Sequence, residues 1–485
     1  MEKSSKHVKI SVMNNQTFFW YDLETFGLNP NFDRIAQFAG VRTNMNLEVI
    51  DKPLMLYCTL SPDYLPTPQS CLITHITPQI VNERGINEAQ FISRINKEFS
   101  VPNTIVTGFN NLKFDDEFIR NALYRNFFDP YEREFKNGCS RWDILDLVRA
   151  AHDLRPEGIN WNHKTEKGNP SFKLVYIAED NNLKQEHAHD AFSDVEATLQ
   201  VAQLIKEKQP RIFDWALNIR SKNEVKKLLN TFTHQPVLYT SNEFTSPKGC
   251  TRMVMPLVAK TNMSNVIYAF DLSQDIAPLL ESSDENYYKV PGLVKIQINK
   301  CPFISPLSLL SPEVEERLGI DRALFLKKAE YLRRQTELFK ALATSKDREF
   351  PPEKDTDLRI YQDGFTTNRD KYSFEIVRKT PPKDRLFLTL QFDSEKANQM
   401  LFRQVCRNWP EVLTETQKKQ WDSFCATRLL SPPGLNSISY EYYIRKLEEL
   451  LNDVNISGPD KVVILALKEY GLDLGKKLLG KGTES

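Results

Sequence analysis

The chain carries no excess of either charge: 64 lysines and arginines balance 64 aspartates and glutamates. A global basic field for nucleic acid is missing, so a polyanionic ligand would have to be held by a local groove. Cysteine is sparse and scattered, at Cys58, Cys71, Cys139, Cys250, Cys301, Cys406 and Cys425, with no C-x-x-C pair. That excludes a disulfide framework and a cysteine zinc site, and it implies free thiols in a reducing compartment. Long hydrophobic runs are absent as well. Val462–Leu467 spans six residues, against the roughly 18 needed to cross a bilayer. Charged and polar residues up to Lys9 leave no room for the apolar stretch of a signal peptide, and no repeat of fixed period is visible. What remains is 485 residues, 40% hydrophobic and 26% charged, a length that suggests about three domains. The expectation is a cytoplasmic multidomain protein that crosses no membrane.

Hydrophobic patterning divides the chain into a mixed α/β region over 16–209, a small β-rich region over 210–350 and a mainly helical region over 351–485. In the first, the run Thr17–Tyr21 reads as a strand. Residues 34–44 and 47–60 read as a hairpin about Asn44 and Asn46, and Pro62, Pro66 and Pro68 break regular structure. Helical spacing follows over 87–99, 114–126, 142–152, 172–181 and 191–208, with a short strand at 104–108. The second region shows β runs at 237–240, 253–258, 266–270 and 293–298, with helices near 213–230 and 321–342. The third carries helical periodicity over 396–407, 415–427, 438–453 and 460–479.

Three segments bear chemistry. Asp22-x-Glu24 ends the first strand, where carboxylates two apart point to the same side and can share cations. Taken alone the pattern says little, because D-x-E occurs five times, starting at Asp22, Asp115, Asp194, Asp347 and Asp393. In Gly108-Phe-Asn-Asn-Leu-Lys-Phe-Asp115-Asp116-Glu117 a strand ends in a turn and acids open a helix. The helix dipole alone would favour them there, or a third carboxylate is delivered beside the first strand. His187-Ala-His189-Asp190-Ala-Phe-Ser-Asp194 sets a histidine before a helix whose opening turns hold an aspartate, and Asp190 suits the cap. In this order, three carboxylate stations and a histidine make a divalent-metal site. Hard oxygen donors suit Mg²⁺ or Mn²⁺, two such ions can stabilise the attacking and leaving oxygens of an in-line displacement, and a histidine can take the proton from water.

That order, Asp-x-Glu, Asp, then His-x-x-x-x-Asp, resembles the DEDDh group of 3′–5′ exonucleases, and more closely the bacterial exonuclease I family. Tyr21-Asp-Leu-Glu-Thr-Phe-Gly27, Phe114-Asp-Asp-Glu117, Ser140-Arg-Trp-Asp143, Leu154-Arg-Pro-Glu-Gly-Ile-Asn-Trp161, Ala188-His-Asp-Ala191, Gln209-Pro-Arg-Ile-Phe-Asp214 and Ile298-Asn-Lys-Cys-Pro302 all carry the likeness. It implies an RNase H-like exonuclease domain, an SH3-like β-barrel domain and a helical C-terminal domain around a single-strand groove. It also implies processive release of 5′-mononucleotides from the 3′ end of single-stranded DNA, in DNA repair and recombination. Asp22, Glu24, Asp115 and Asp194 would hold two Mg²⁺ ions, with Mn²⁺ a substitute, Glu24 would also contact substrate, and His189 would be the general base. Lys173 stands where the family has a basic substrate contact, usually Arg. His75 stands where the family is expected to have Gly beside the terminal nucleotide. The implied partners are single-stranded DNA and the acidic, Phe-ending tail of a single-stranded DNA-binding protein, with Arg155 and Trp215 as a docking patch. The implied state is a monomer.

Arg120, Tyr124, Arg125, Tyr131, Phe135 and Arg149 lie near the third carboxylate in sequence and offer the mix of bases and aromatics that single strands bind. Arg120, Tyr131, Phe135 and Arg149 are taken as candidate substrate contacts, although their spacing is equally that of ordinary core and surface. Two competing readings are an exonuclease of RNA ends and a non-catalytic single-strand-binding scaffold. The two additional domains speak against the first and the complete acid set against the second.

Overall fold

The computed structural model describes residues 16–184, 190–282, 287–346, 351–362, 364–389, 397–430 and 438–480. His189 therefore lies outside the described residues. The first sheet has the order β3-β2-β1-β4-β5, with β1 (Thr17–Thr25), β2 (Ile35–Thr43) and β3 (Leu54–Tyr57) antiparallel, and β4 (Thr104–Thr107) and β5 (Ser140–Arg141) parallel to β1. Helices α1 (Pro68–Thr74), α2 (Pro78–Arg84), α3 (Glu88–Phe99), α4 (Asp115–Arg125), α5 (Leu145–Leu154), α6 (Leu174–Asp180) and α7 (Ala191–Lys208) complete this domain. β1 is central and buried along its length because Phe18 and Trp20 face one core while Phe19 and Tyr21 face the other, the period-2 alternation of a sheet covered on both sides.

A second sheet follows helices α8 (Pro210–Ile219) and α9 (Lys222–Leu228). It is antiparallel throughout, in the order β10-β6-β7-β8-β9, from β6 (Val237–Thr240), β7 (Thr251–Ala259), β8 (Val266–Asp271), β9 (Leu293–Gln297) and β10 (Phe303–Pro306). It carries α10 (Ala277–Glu281), α11 (Pro312–Leu318), α12 (Arg322–Arg333) and α13 (Thr336–Thr344). The third domain is helical: α14 (Asn368–Lys379), α15 (Pro382–Arg385), α16 (Ala397–Asn408), α17 (Glu415–Leu430), α18 (Tyr440–Leu451) and α19 (Gly458–Leu479). One continuous core runs from Trp20 and Val148 of the first domain to Met253 and Phe270 of the second. Another joins Phe26, Tyr64 and Val81 to Tyr443 and Leu467 of the third. Among the described residues no helix is long and apolar enough to cross a membrane.

Several local expectations differ from what the chain does. Proline was expected to break structure near residue 68, yet Pro68 and Pro78 open α1 and α2 at their first turns, where a missing N–H costs nothing and the fixed φ is already helical. The expected strand over 47–60 shrinks to β3, because the Asn44 side chain accepts from Asn46 N at 2.8 Å and Glu48 N at 3.1 Å and ties the chain into a turn. The single helices expected over 213–230 and 321–342 are each two, broken at Ser221 and at Gln335. At His75 the backbone is left-handed, φ 55° and ψ 17°, as the C-cap of α1. Glycine favours that conformation, which is the physical reason to expect it there. Here the histidine Nε2 lies 3.2 Å from Asp460 Oδ1, across the seam to α19.

Candidate metal centre

The site grows from a mismatch in strand length. Parallel pairing of β1 with β4 ends at Trp20↔Thr107, so β1 runs on past its neighbour. Gly108 then passes so close that a Cβ would sit 2.6 Å from Tyr21 O, which only glycine permits. The turn that follows hangs on Asp143, whose carboxylate accepts from Asn110 N at 2.9 Å and Leu112 N at 3.2 Å. The chain then enters α4. There Asp115 Oδ1 accepts from Leu23 N at 3.2 Å, taking the place of the strand that β4 no longer supplies. Asp115 is thus bonded to the residue between Asp22 and Glu24.

Asp190 caps α7, its Oδ1 accepting from Phe192 N and Ser193 N at 3.2 Å each, as the sequence suggested. Val195 and Leu199 of α7 lie in the same core as Phe18 and Trp20, and this packing brings Asp194 to β1. Ligand oxygens of Asp22, Glu24 and Asp194 all lie within 4.8 Å of one another. Asp115 falls outside that group but is close enough to act on it electrostatically. Burial first, then the charges of Asp115, Asp194 and Asp190, push the Asp22 carboxyl well above its usual range. Burial, followed by Asp22 and Asp194, raises Glu24 to about 9. Asp115 is also raised, chiefly by burial. Uncompensated negative charge in hard oxygen donors is what a divalent cation relieves, so the residues present fit such an ion.

The neighbouring Asp116 contrasts with Asp115. Its buried carboxylate accepts from Tyr21 OH, Arg133 and Arg141 at 2.7 Å each. Burial would raise its pKa, but the two guanidinium groups more than offset this and hold it well below the usual range. Asp116 and Asp143 are structural supports, a role that the sequence reading did not assign to either. The signal for them was their place in the family-like segments Phe114-Asp-Asp-Glu117 and Ser140-Arg-Trp-Asp143.

The remaining candidates separate. Lys173 is exposed just before α6, its Nζ 5.5 Å from the Tyr176 ring centroid. Arg120 is only 4% exposed and its guanidinium is committed to Glu117 at 2.7 Å and Glu134 at 2.9 Å. Arg149 is likewise engaged, by Asp146 at 2.5 Å. Phe135 is 66% exposed, whereas Tyr131 is half-buried beneath Phe365. Arg155 and Trp215 do come together. They share a cavity of about 540 Å³ with Arg211, Ile212, Pro306 and Leu309, and Trp215 Nε1 donates to Ile304 O at 2.9 Å.

A divalent cation should stabilise this protein. Glu24 has a folded-state pKa of about 9, above the roughly 4.3 of an unfolded glutamate. The stability its proton supports is fully present below the unfolded value and is lost as pH rises through 9. Calorimetry with Mg²⁺ against EDTA is expected to show a higher Tm with metal, by a margin that narrows as pH falls and protons replace the ion.

Three family profiles match the chain: Exonuclease over residues 19–202, Exonuclease I SH3-like domain over 220–345 and Exonuclease I C-terminal domain over 354–474. Exodeoxyribonuclease I of Haemophilus influenzae is 38% identical over 96% of this chain and 99% of its own length. The crystal structure of E. coli exonuclease I with a dA16 oligonucleotide superposes with a TM-score of 0.90 at 34% identity, covering 95% of this chain and 100% of that one. A structure of SSB/exonuclease I with the inhibitor CFAM gives 0.87 at 35% identity, covering 95% and 99%.

Proposed function

This chain belongs to the bacterial exonuclease I family, and from that premise we propose that it is a metal-dependent 3′–5′ exonuclease of single-stranded DNA. The observation that carries the reading is the convergence, within 4.8 Å, of Asp194 from α7 on Asp22 and Glu24 of β1, the strand to which Asp115 is hydrogen-bonded. In the proposed mechanism these four carboxylates hold two Mg²⁺ ions, with Mn²⁺ a substitute. When bound, such ions supply Lewis-acid stabilisation of the attacking and leaving oxygens and lower the pKa of the attacking water. Glu24 also faces the terminal nucleotide. His189 precedes the cap residue Asp190 and takes the proton from the attacking water. Lys173 holds a phosphate as a point charge, without the bidentate geometry of arginine. The products are 5′-mononucleotides, released processively, in the service of DNA repair and recombination, by a cytoplasmic monomer.

The cavity at Arg155 and Trp215 fits the acidic, Phe-ending tail of a single-stranded DNA-binding protein, since two guanidinium groups can meet carboxylates beside apolar walls. The SSB/exonuclease I structure supports that partner. Trp215→Ala is expected to weaken binding of such a tail peptide by roughly 30-fold, the size of a hot-spot aromatic, measured by fluorescence anisotropy.

The function is tested by digesting end-labelled single-stranded DNA with a free 3′ end, a blocked 3′ end and a blunt duplex, each in Mg²⁺ and in EDTA. Mononucleotides should come only from the free single-stranded 3′ end and only with metal. Binding without cleavage would overturn the reading. His189→Ala should slow single-turnover cleavage by roughly 10²–10⁴, the contribution of a positioned acid–base group.

A further inference from the structure

Lys173, Tyr176 and Asp180 follow one another at spacings of three and four residues, so the lysine just before α6, the tyrosine within it and the aspartate at its end share one face. On the neighbouring face, Leu174 and Ile177 pack into the core that also holds Trp20 of β1 and Val195 of α7. The helix is thus fixed to the elements that carry Asp22 and Asp194. What is left to move at Lys173 is its exposed, flexible four-carbon stem. A hairpin over residues 163–171 covers the shared face, closed by Ser171 N donating to His163 O at 3.0 Å and Thr165 N donating to Asn169 O at 2.8 Å. Asp180 anchors its foot. One carboxylate oxygen accepts from Asn162 N at 2.8 Å and His163 N at 3.2 Å, and the other lies 2.8 Å from His163 Nδ1. Glu179 adds a second carboxylate, 3.6 Å from His163 Nε2. Held at both nitrogens, the imidazole lies flat on Tyr176, with ring centroids 4.3 Å apart and 2° between their planes. The Lys173 Nζ stands 5.5 Å from the centroid of that same tyrosine ring, within the reach of a cation–ring attraction.

We propose that Tyr176 and His163 are positioning residues for Lys173: the imidazole pins the tyrosine ring, and the ring restrains the ammonium that takes a phosphate of the strand. This deepens the single-stranded DNA exonuclease reading and rests on it. An arginine presents a planar fork that is ordered in advance, whereas a lysine is a point charge on a rotatable stem. Ordering such a stem only when substrate arrives costs binding energy. A ring fixed beside the ammonium orders it beforehand, so less is lost on binding. Neither Tyr176 nor His163 needs to touch the strand for this; each acts through the lysine.

The test uses the full chain in Mg²⁺ and single-turnover digestion of an end-labelled oligothymidylate at rising enzyme concentration. Tyr176→Ala should raise the half-saturating concentration by roughly 2- to 5-fold, the size of an exposed cation–ring contact. Tyr176→Phe, which keeps the ring, should restore it, and His163→Ala should shift it in the same direction as Tyr176→Ala. In a Lys173→Ala background neither Tyr176→Ala nor His163→Ala should cost anything more, because residues that act through one partner are not additive with its loss. A tyrosine that merely supports the fold would exact its full cost in that background too. Tyr176→Ala matching the wild type, or a cost that adds to that of Lys173→Ala, would overturn the positioning role. If the wild type itself fails to digest a free 3′ single strand, the function reading falls. If it digests normally while the costs add, only the positioning role falls.

Discussion

Asp194→Ala is expected to reduce mononucleotide release by about 10³-fold or more, the several kcal/mol that metal-borne charge stabilisation supplies to a phosphoryl transition state. The same substitution should leave the metal-free protein folded and no less stable. Asp194 contributes to the repulsion that raises both Asp22 and Glu24, so removing its charge relieves the cluster. Activity and stability thus part company, which a misfolded variant could not reproduce. Single-turnover cleavage and a melting curve on the same preparation decide the matter, and near-normal cleavage would sink the metal assignment. Asp116→Ala, one residue beyond the proposed metal ligand Asp115, should do the opposite kind of damage. It strands Arg133 in the core and leaves Arg141 with Glu134 at 3.0 Å in place of two carboxylates, and its primary effect should be on Tm.

The second large effect concerns how the third domain is held. Asp63 and Asp357 are fully buried and share two guanidinium groups, one from α16 and one from α17, while each takes one more of its own. Arg407 meets both carboxylates, and Arg428 reaches Asp63 at 3.3 Å and Asp357 at 3.0 Å. Arg403 lies 3.3 Å from Asp357, and Arg34 of β2's leading edge lies 3.9 Å from Asp63. Removing one partner of a buried pair leaves charge uncompensated and costs about 3–5 kcal/mol. Asp357→Ala is therefore expected to lower stability by about that amount in denaturant melts. The pH dependence follows the same charges. Burial would raise the Asp63 and Asp357 carboxyls, but Arg407 and Arg428 more than offset it and hold both well below the usual range. Their folded-state pKa values are depressed, so the stability they contribute is present above the unfolded value near about 3.9. It is lost as pH falls through the folded value. The wild type should accordingly lose stability in acid below about pH 4, and Asp357→Ala should lose less of it over the same range. Equal acid slopes would refute the assignment.

Much of the candidate metal centre was legible in the sequence because its geometry is local. Asp22 and Glu24 share a side by the two-residue period of a strand, and Asp190 and Asp194 hold their places by capping and opening a helix. Bounds of helices with a strong apolar period, such as α3 and α7, agree closely with the spacing that announced them. Segments whose structure depends on context were misjudged. Pro68 read as a breaker but acts as an initiator, and α14 and β10 were not seen. Arg120 and Arg149 show the limit most clearly. Their positions near Asp115 suggested substrate contacts, and only the folded chain shows both guanidinium groups spent on carboxylates nearby.

Sequence alone determined the acid set, its order along the chain, the helical C-terminal region and the absence of a membrane-length apolar run, since each depends on residue type and short-range period. Tertiary structure decided the rest. It bonded Asp115 to Leu23 because β1 outruns β4, paired Asp63 with Arg407 across more than 300 residues, and brought Arg155 and Trp215 to one cavity. It also placed Tyr361 on Glu117. These contacts join residues far apart in the chain, and their energies depend on burial and on the geometry of partners that no local pattern encodes.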